Sequence, residues 1–265
     1  MADSLDQITP LILTYNEEPN ISRTLAGLKW ARRIVVIDSF STDDTLMLLA
    51  QHPQVQVVQR EFDSFAEQCH FGLNLITTPW CLSLDADHFI TSEFTTELAE
   101  VISSVPTEVT AVLTSFRYCV QGFPLRGTLL PPRFNLMRPD GGSYVNDGHA
   151  HRFIPVGRTL VMRQPIFHDD RKSLSRWLTS QQRYLLQETQ KLISTPDRQL
   201  SFGDRLRKRH VIAPLAVFFL CLIWHRGILD GRRGWFYACQ RLYVEILLSL
   251  MIFDARINNS RSISR

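Results

Sequence analysis

The stretch WCLSLDADHF, Trp80 to Phe89, is an apolar run that ends in two carboxylates one residue apart, Asp85 and Asp87. Side chains two positions apart on an extended chain point the same way, so both carboxylates are expected to face one spot. Like charges that close raise each other's pKa, and a positive group or ion is required beside them. The alternative is a solvated turn, because Asp is common where a strand ends. The rest of the chain decides between the two.

The first hundred residues alternate in pattern. ITPLILT (Ile8–Thr14), RIVVID (Arg33–Asp38), VQVVQ (Val55–Gln59) and WCLSL (Trp80–Leu84) are β-branched or apolar runs of strand length. Helical spacings lie between them: Ile21, Leu25 and Leu28; a Ser41/Asp44 capping box ahead of Leu46 and Leu49; and Phe65, Cys69, Gly72, Leu73 and Ile76. Strand–helix units repeated in series predict a mostly parallel α/β sheet. Asn16 and Glu17 follow the first strand, Asp38 ends the second, and Asp85 and Asp87 end the fourth. Open α/β sheets bind ligands outside the carboxyl ends of their strands, so these acids predict a binding site on one edge.

Composition bounds the class. The 265 residues are 45% hydrophobic and 21% charged, as in a folded globular protein, with a formal net charge of +3. From Arg205 to Arg265 there are eleven Lys and Arg against three Asp and Glu, a surplus of +8; the rest of the chain has eighteen against twenty-three, or −5. An acidic body with a basic tail implies two partners. The five cysteines are scattered without a CxxC pair, which argues against a zinc site or a disulfide framework and fits a reducing compartment. MADSLDQITP lacks an apolar core, so no signal peptide is expected.

LTYNEEPN, after the first strand, holds no glycine, and no GxxxxGK[ST] occurs. A glycine loop for a pyrophosphate is therefore missing. A diphosphate would then need a metal, and an Asp-x-Asp at a strand end is a hard-oxygen set suited to Mn²⁺ or Mg²⁺. The glycine and distal glutamate of an EF-hand loop are absent.

LTYNEE, VVIDSFSTDDT and LSLDADHF, in that order, resemble the inverting family 2 glycosyltransferases of GT-A fold, and among them the bacterial lipopolysaccharide-core β-glucosyltransferases. The resemblance is strong from Ile8 to Leu98 and weaker to Leu192. It implies that Tyr15, Asn16 and Glu17 line a nucleoside pocket and that Asp38 accepts from the uracil or ribose. It places Gln68 near the donor and Asp85 against the ribose–diphosphate, and it gives the metal to Asp87 with Asp85.

An inverting transferase also needs a carboxylate to take the acceptor's proton. The related core transferases tend to place it in a His-Glu pair, but in GGSYVNDGHAHRF the residue after His149 is Ala150. Asp147 is the nearest carboxylate and the candidate base, although Asn-Asp-Gly is also a strong turn signal. PIFHDDRK, Pro165 to Lys172, is either a lid over a diphosphate or a helix cap; His149, His168 and Arg171 are second-tier site candidates.

DRLRKRH precedes an apolar run of 14 residues, Val211–Trp224, shorter than the ~20 that a bilayer span needs. Gly234–Phe253 is long enough but carries Gln240, Arg241 and Glu245, which are costly in a span. An interfacial amphipathic helix is expected, with Arg205, Arg207, Lys208, Arg209, Arg232 and Arg233 facing anionic head groups. A dimer interface is the alternative. No nucleic-acid motif accompanies the basic residues.

Two readings follow. In the first, a transferase domain over residues 1–200 and a helical membrane-associated region over 201–265 move a sugar from a nucleotide-diphosphate sugar, UDP-linked by expectation. The acceptor is a lipid-linked saccharide or polyprenyl phosphate at the cytoplasmic side of the inner membrane. In the second, the chain binds nucleotide sugar without chemistry, as a membrane partner protein.

Overall fold

The computed structural model describes residues 2–127, 129–147, 150–209 and 212–263. The chain forms two units: Met1–Pro124 with Leu130–Arg171, and Leu125–Leu129 with Lys172–Arg265.

In the first unit, α1 (Ala2–Leu5) leads into β1 (Ile8–Thr14), and α2 (Ile21–Ala26), β2 (Ile34–Asp38), α3 (Thr45–Ala50) and β3 (Val55–Gln59) follow. Next come α4 (Phe65–Leu73), β4 (Trp80–Asp85), the two-residue β5 (His88–Phe89) and α5 (Ser92–Ser104). The remainder is mostly strand: β6 (Val109–Thr114), β7 (Phe116–Val120), β8 (Phe123–Pro124), β9 (Arg133–Met137), β10 (Gly142–Asp147), β11 (Ala150–Pro155), β12 (Arg158–Val161) and β13 (Ile166–His168).

The main sheet runs β12-β6-β9-β4-β1-β2-β3. All neighbours in it are parallel except β9, which is antiparallel to both β4 and β6. Burial explains the composition of the central strands. Ile8, Leu11 and Ile12 of β1, Ile34 to Ile37 of β2 and Cys81, Leu82 and Leu84 of β4 are buried, because helices cover both faces. Alternate side chains feed two cores: Ile12, Val36, Leu82 and Phe94 in one, and Leu11, Val35, Ile37 and Cys69 in the other. Gly72 lets α4 close on the sheet, since a Cβ there would lie 2.5 Å from Leu11 Cδ1. The β10–β11 hairpin is separate, as is a small sheet in the order β5-β13-β7-β8. The second sheet ends at His168, next to the edge where β4 ends.

The second unit is helical, with α6 (Leu174–Ser194), α7 (Phe202–Arg207), α8 (Ile212–Phe219) and α9 (Arg232–Ile263). Ser173 caps α6 by accepting from Arg176 N. Leu185 and Leu192 of α6 share a core with Val244, Leu248 and Ile252 of α9.

Candidate active site

The loop after β2 is locked by polar bonds. Asp38 is wholly buried and accepts four of them: Thr14 Oγ1 (3.0 Å) and Ser41 Oγ (2.5 Å) on Oδ1, and Ser41 N (2.9 Å) and Gln59 Nε2 (3.2 Å) on Oδ2. A carboxylate offers about four lone-pair sites, so protein donors saturate this one. Asp38 thus fastens the loop, whereas the sequence had it accepting from uracil or ribose. The Ser41/Asp44 capping box is not formed, because the Ser41 hydroxyl goes to Asp38 and Asp44 makes no side-chain cap.

Asn16 works from the opposite side. It holds φ = 54°, a left-handed conformation that Asn tolerates, and its Oδ1 accepts from Thr42 N at 2.6 Å. Its own N–H donates to Ser41 Oγ, and Glu17 N donates to Thr45 Oγ1, both at 2.7 Å. Asn16 and Glu17 therefore stitch β1 to this loop, and Tyr15 beside them is half exposed. Gln68 is buried, with Nε2 donating to the carbonyls of Arg60 and Glu61 and to Ser39 Oγ. It ties α4 to the ends of β2 and β3.

The two carboxylates of the opening stretch meet by a turn rather than along a strand. β4 stops at Asp85, the chain turns at Ala86 and Asp87, and His88 begins β5. Thr24 Oγ1 of α2 secures the turn, lying 2.6 Å from the carbonyl oxygens of Ala86 and His88. The turn brings the buried His88 imidazole between the acids, with Nε2 at 3.5 Å from Asp85 Oδ2 and 3.9 Å from Asp87 Oδ1. Asp85 N donates to His88 Nδ1 at 3.0 Å. Burial pushes the His88 pKa down to about 4, so the ring is neutral at pH 7 and its one proton sits on Nε2, facing the acids.

His168, at the end of β13, completes the cluster, with Nδ1 at 3.6 Å from Asp87 Oδ1. Atoms of Asp87, His88 and His168 lie within 4.8 Å of one another, a spacing that suits one metal ion. The protonated Nε2 of His88 removes that ring from the ligand set. Asp87 and His168 then offer a carboxylate oxygen and an imidazole nitrogen, with Asp85 alongside. This donor set fits Mn²⁺, and fits Mg²⁺ through its oxygens.

The segment after β13 is anchored. Asp169 is wholly buried and accepts from Gly122 N (3.1 Å) and Arg171 Nε (2.9 Å), and the Asp169 carbonyl accepts from Arg23. Asn20 Oδ1 accepts from Arg171 N. Arg171 is thus engaged in holding His168 in place. Arg23, Asn20, His88 and Asp169 were not singled out in the sequence. His88 had one visible signal, a titratable ring directly after the two acids, whereas the others sit in ordinary helical or mixed-charge contexts.

Asp147 lies near the tip of the β10–β11 hairpin. It alternates with Val145 onto the exposed face and pairs with Arg152 at 3.1 Å. The opposite face carries Tyr144 and Phe153, both buried, with Asn146 and His151. His151 stacks on Phe65, and burial lowers its pKa. His149 lies outside the described residues.

An acid- and imidazole-bearing cluster at the carboxyl edge of a mostly parallel sheet defines a ligand-binding α/β protein. A model of the family Glycosyl transferase family 2 matches residues 11–166, and the chain belongs to that family, with the expected GT-A architecture. It is similar to the lipopolysaccharide core biosynthesis glycosyltransferase LpsC of Rhizobium meliloti (strain 1021), with 23% identity over 96% of this chain and 94% of that one. A shorter match, 34% identical over 31% of this chain and 37% of the relative, is to an uncharacterised glycosyltransferase of Mycobacterium tuberculosis (strain ATCC 25618 / H37Rv). Among solved structures it is similar to Pyrobaculum calidifontis mannosyltransferase PcManGT in complex with GDP-Man and Mn²⁺. That likeness has 15% identity and a TM-score of 0.46, covering 96% of this chain and 86% of the other.

Proposed function

We propose that this family 2 glycosyltransferase is an inverting, metal-dependent enzyme that moves a sugar from a UDP-sugar to a lipid-linked saccharide or polyprenyl-phosphate acceptor. Its work is cell-envelope glycan synthesis, at the cytoplasmic side of the inner membrane. The acceptor class draws on the likeness to LpsC, whose name places it in lipopolysaccharide core biosynthesis. The observation that carries the reading is the meeting of Asp85, Asp87 and His168 at the ends of β4 and β13.

Asp87 and His168 would hold Mn²⁺ or Mg²⁺, which supplies charge neutralisation for a departing nucleotide diphosphate. The chain's own residues prepare that site. His88 directs its N–H at both acids and steadies their orientation. Asn16, Glu17, Asp38 and Gln68 shape the nucleoside side by fixing the loop and α4, which leaves the exposed Tyr15 ring to lie against the donor. Asp147 is the proposed base, held by Arg152.

Purified protein should hydrolyse UDP-sugar slowly with Mn²⁺, and Asp87→Ala should abolish that turnover. Asp147→Asn should spare donor binding yet stop transfer; near-normal transfer would refute the base assignment. One observation favours a second reading, a binder without chemistry: Asp147 lies on the outward face of its hairpin, paired with Arg152. Metal-dependent binding with no hydrolysis or transfer to any acceptor would select that reading.

A further inference from the structure

We infer that the helical second unit docks on an anionic lipid surface with α8 and α9 lying in the plane of the bilayer and neither helix crossing it. The inference refines the membrane part of the proposed function and does not depend on catalysis.

Among the described residues, one helix is long and apolar enough to cross a membrane, Arg232–Asn258 of α9. Its middle argues against that course. Glu245, midway along, is buried and gripped by Arg207 through Nε (3.0 and 3.1 Å) and Nη2 (2.9 Å), with Arg241 Nη2 at 3.5 Å. Arg207 also reaches Glu188 at 3.0 Å, and Lys191 reaches Asp204 at 3.5 Å. The cluster of three cations and three acids is neutral, and it fastens α6 and α7 across the centre of α9. The outer face of α6 there is mainly polar, with exposed Gln182, Arg183, Gln187 and Gln190 around a single exposed leucine, Leu186. In a span this face would sit at the hydrocarbon midplane, where Arg and paired charges are costly. Lying flat, α9 keeps α6 in water.

The other side of the pair is apolar. On α9, Phe236, Tyr243, Ile246, Leu250, Phe253 and Ile257 form an exposed stripe at the three-and-four spacing of one helix face. On the shorter α8 and the π-helical stretch Leu220–Trp224 that continues it, Ile212, Leu215, Phe219, Ile223 and Trp224 are exposed, the last at 80%. Arg205, Arg209, Arg226, Arg232 and Arg256 are exposed around them. Charge decides the occupant. A second copy would bring two surfaces ringed by exposed arginines together, whereas anionic head groups meet the arginines while the acyl chains take the apolar stripe.

The test uses the full chain and floated vesicles. Vesicles with 30% phosphatidylglycerol should carry the protein up, pure phosphatidylcholine much less. R226Q/R232Q should weaken partition roughly 25-fold, at about fivefold per arginine lost, with UDP-sugar hydrolysis in lipid-free solution unchanged. Asp87→Ala should float normally, so a failed catalytic reading leaves this result standing. For topology, Arg232→Cys and Arg256→Cys are each placed in a Cys239→Ser background, the remaining cysteines being buried. Both should react with a membrane-impermeant maleimide added outside intact vesicles. Protection of either until the vesicles are lysed would overturn the in-plane arrangement. A stable dimer in light scattering with no flotation would overturn the lipid docking in favour of a second copy.

Discussion

Asp38→Asn separates two roles for one buried carboxylate. The substitution keeps Oδ1, which accepts from Thr14 and Ser41 Oγ, and replaces Oδ2 by an NH₂ group. That group faces the Ser41 N–H now bonded at 2.9 Å and the Gln59 amide at 3.2 Å. Gln59 is exposed and can turn to water at little cost. Ser41 N–H loses a charge-assisted bond and meets another donor, for a loss of about 2–3 kcal/mol. In a chain of this size that lowers Tm by roughly 4–12 °C. Urea denaturation with the m value held fixed reads the stability, and calorimetry with UDP and Mn²⁺ reads binding. The loop lock predicts that both fall, with affinity failing because the 39–45 loop is released. Weakened binding at undiminished stability would refute the lock and return Asp38 to direct ligand contact.

Two further outcomes are expected. Glu97 is buried, but its carboxylate accepts from Arg163 N (2.9 Å) and Gln164 N (2.7 Å). Burial works against ionisation, yet these N–H groups hold its pKa below the usual 4.5. A depressed folded pKa gives stability that is present above the unfolded value and lost as pH falls through the folded one. The stability gap between wild type and Glu97→Gln should therefore be full at pH 7 and narrow progressively as pH falls below the unfolded value of about 4.3, as followed by urea midpoints. Glu245→Ala leaves the half-buried Arg207 and Arg241 without their shared buried acid and should cost about 2–3 kcal/mol, below the full cost of breaking a buried pair because both cations can turn to water. Replacing the buried group together, Arg207→Met with Glu188→Leu and Glu245→Leu, should recover much of that loss in the same assay.

The sequence laid out the parallel core because β1, β2 and β4 are short runs whose burial on both faces demands continuous apolar character, while the edge strand β3, VQVVQ, showed itself by its β-branched residues. The later strands β6 to β13 are short, edge-lying or antiparallel, and no period announced them. At the site, the acids were legible but their partners were not. Asp85 and Asp87 looked like neighbours on one strand face; the turn at Ala86–Asp87 instead brings them together around His88. Asp38 and Asn16 looked like ligand contacts, while their hydrogen bonds go to Thr14, Ser41 and Thr42. A side chain's choice between a ligand and a nearby backbone N–H depends on loop geometry, which spacing does not encode. His168 reaches Asp87 from a segment about eighty residues further along, through the pairing of β13 with β5. In the second unit the polar interruptions of α9 were visible, but their neutralisation by Glu188 and Arg207 required the packing of α6 and α7.

The central claim, that Asp87 organises a metal-dependent nucleotide-sugar site, is tested most directly by Mn²⁺ paramagnetic resonance titration with and without UDP. Wild type should bind one Mn²⁺ more tightly when UDP is present, and Asp87→Ala should lose that site. UDP binding of equal strength without any divalent ion, or an Asp87→Ala variant that retains the UDP-dependent Mn²⁺ site, would contradict the account.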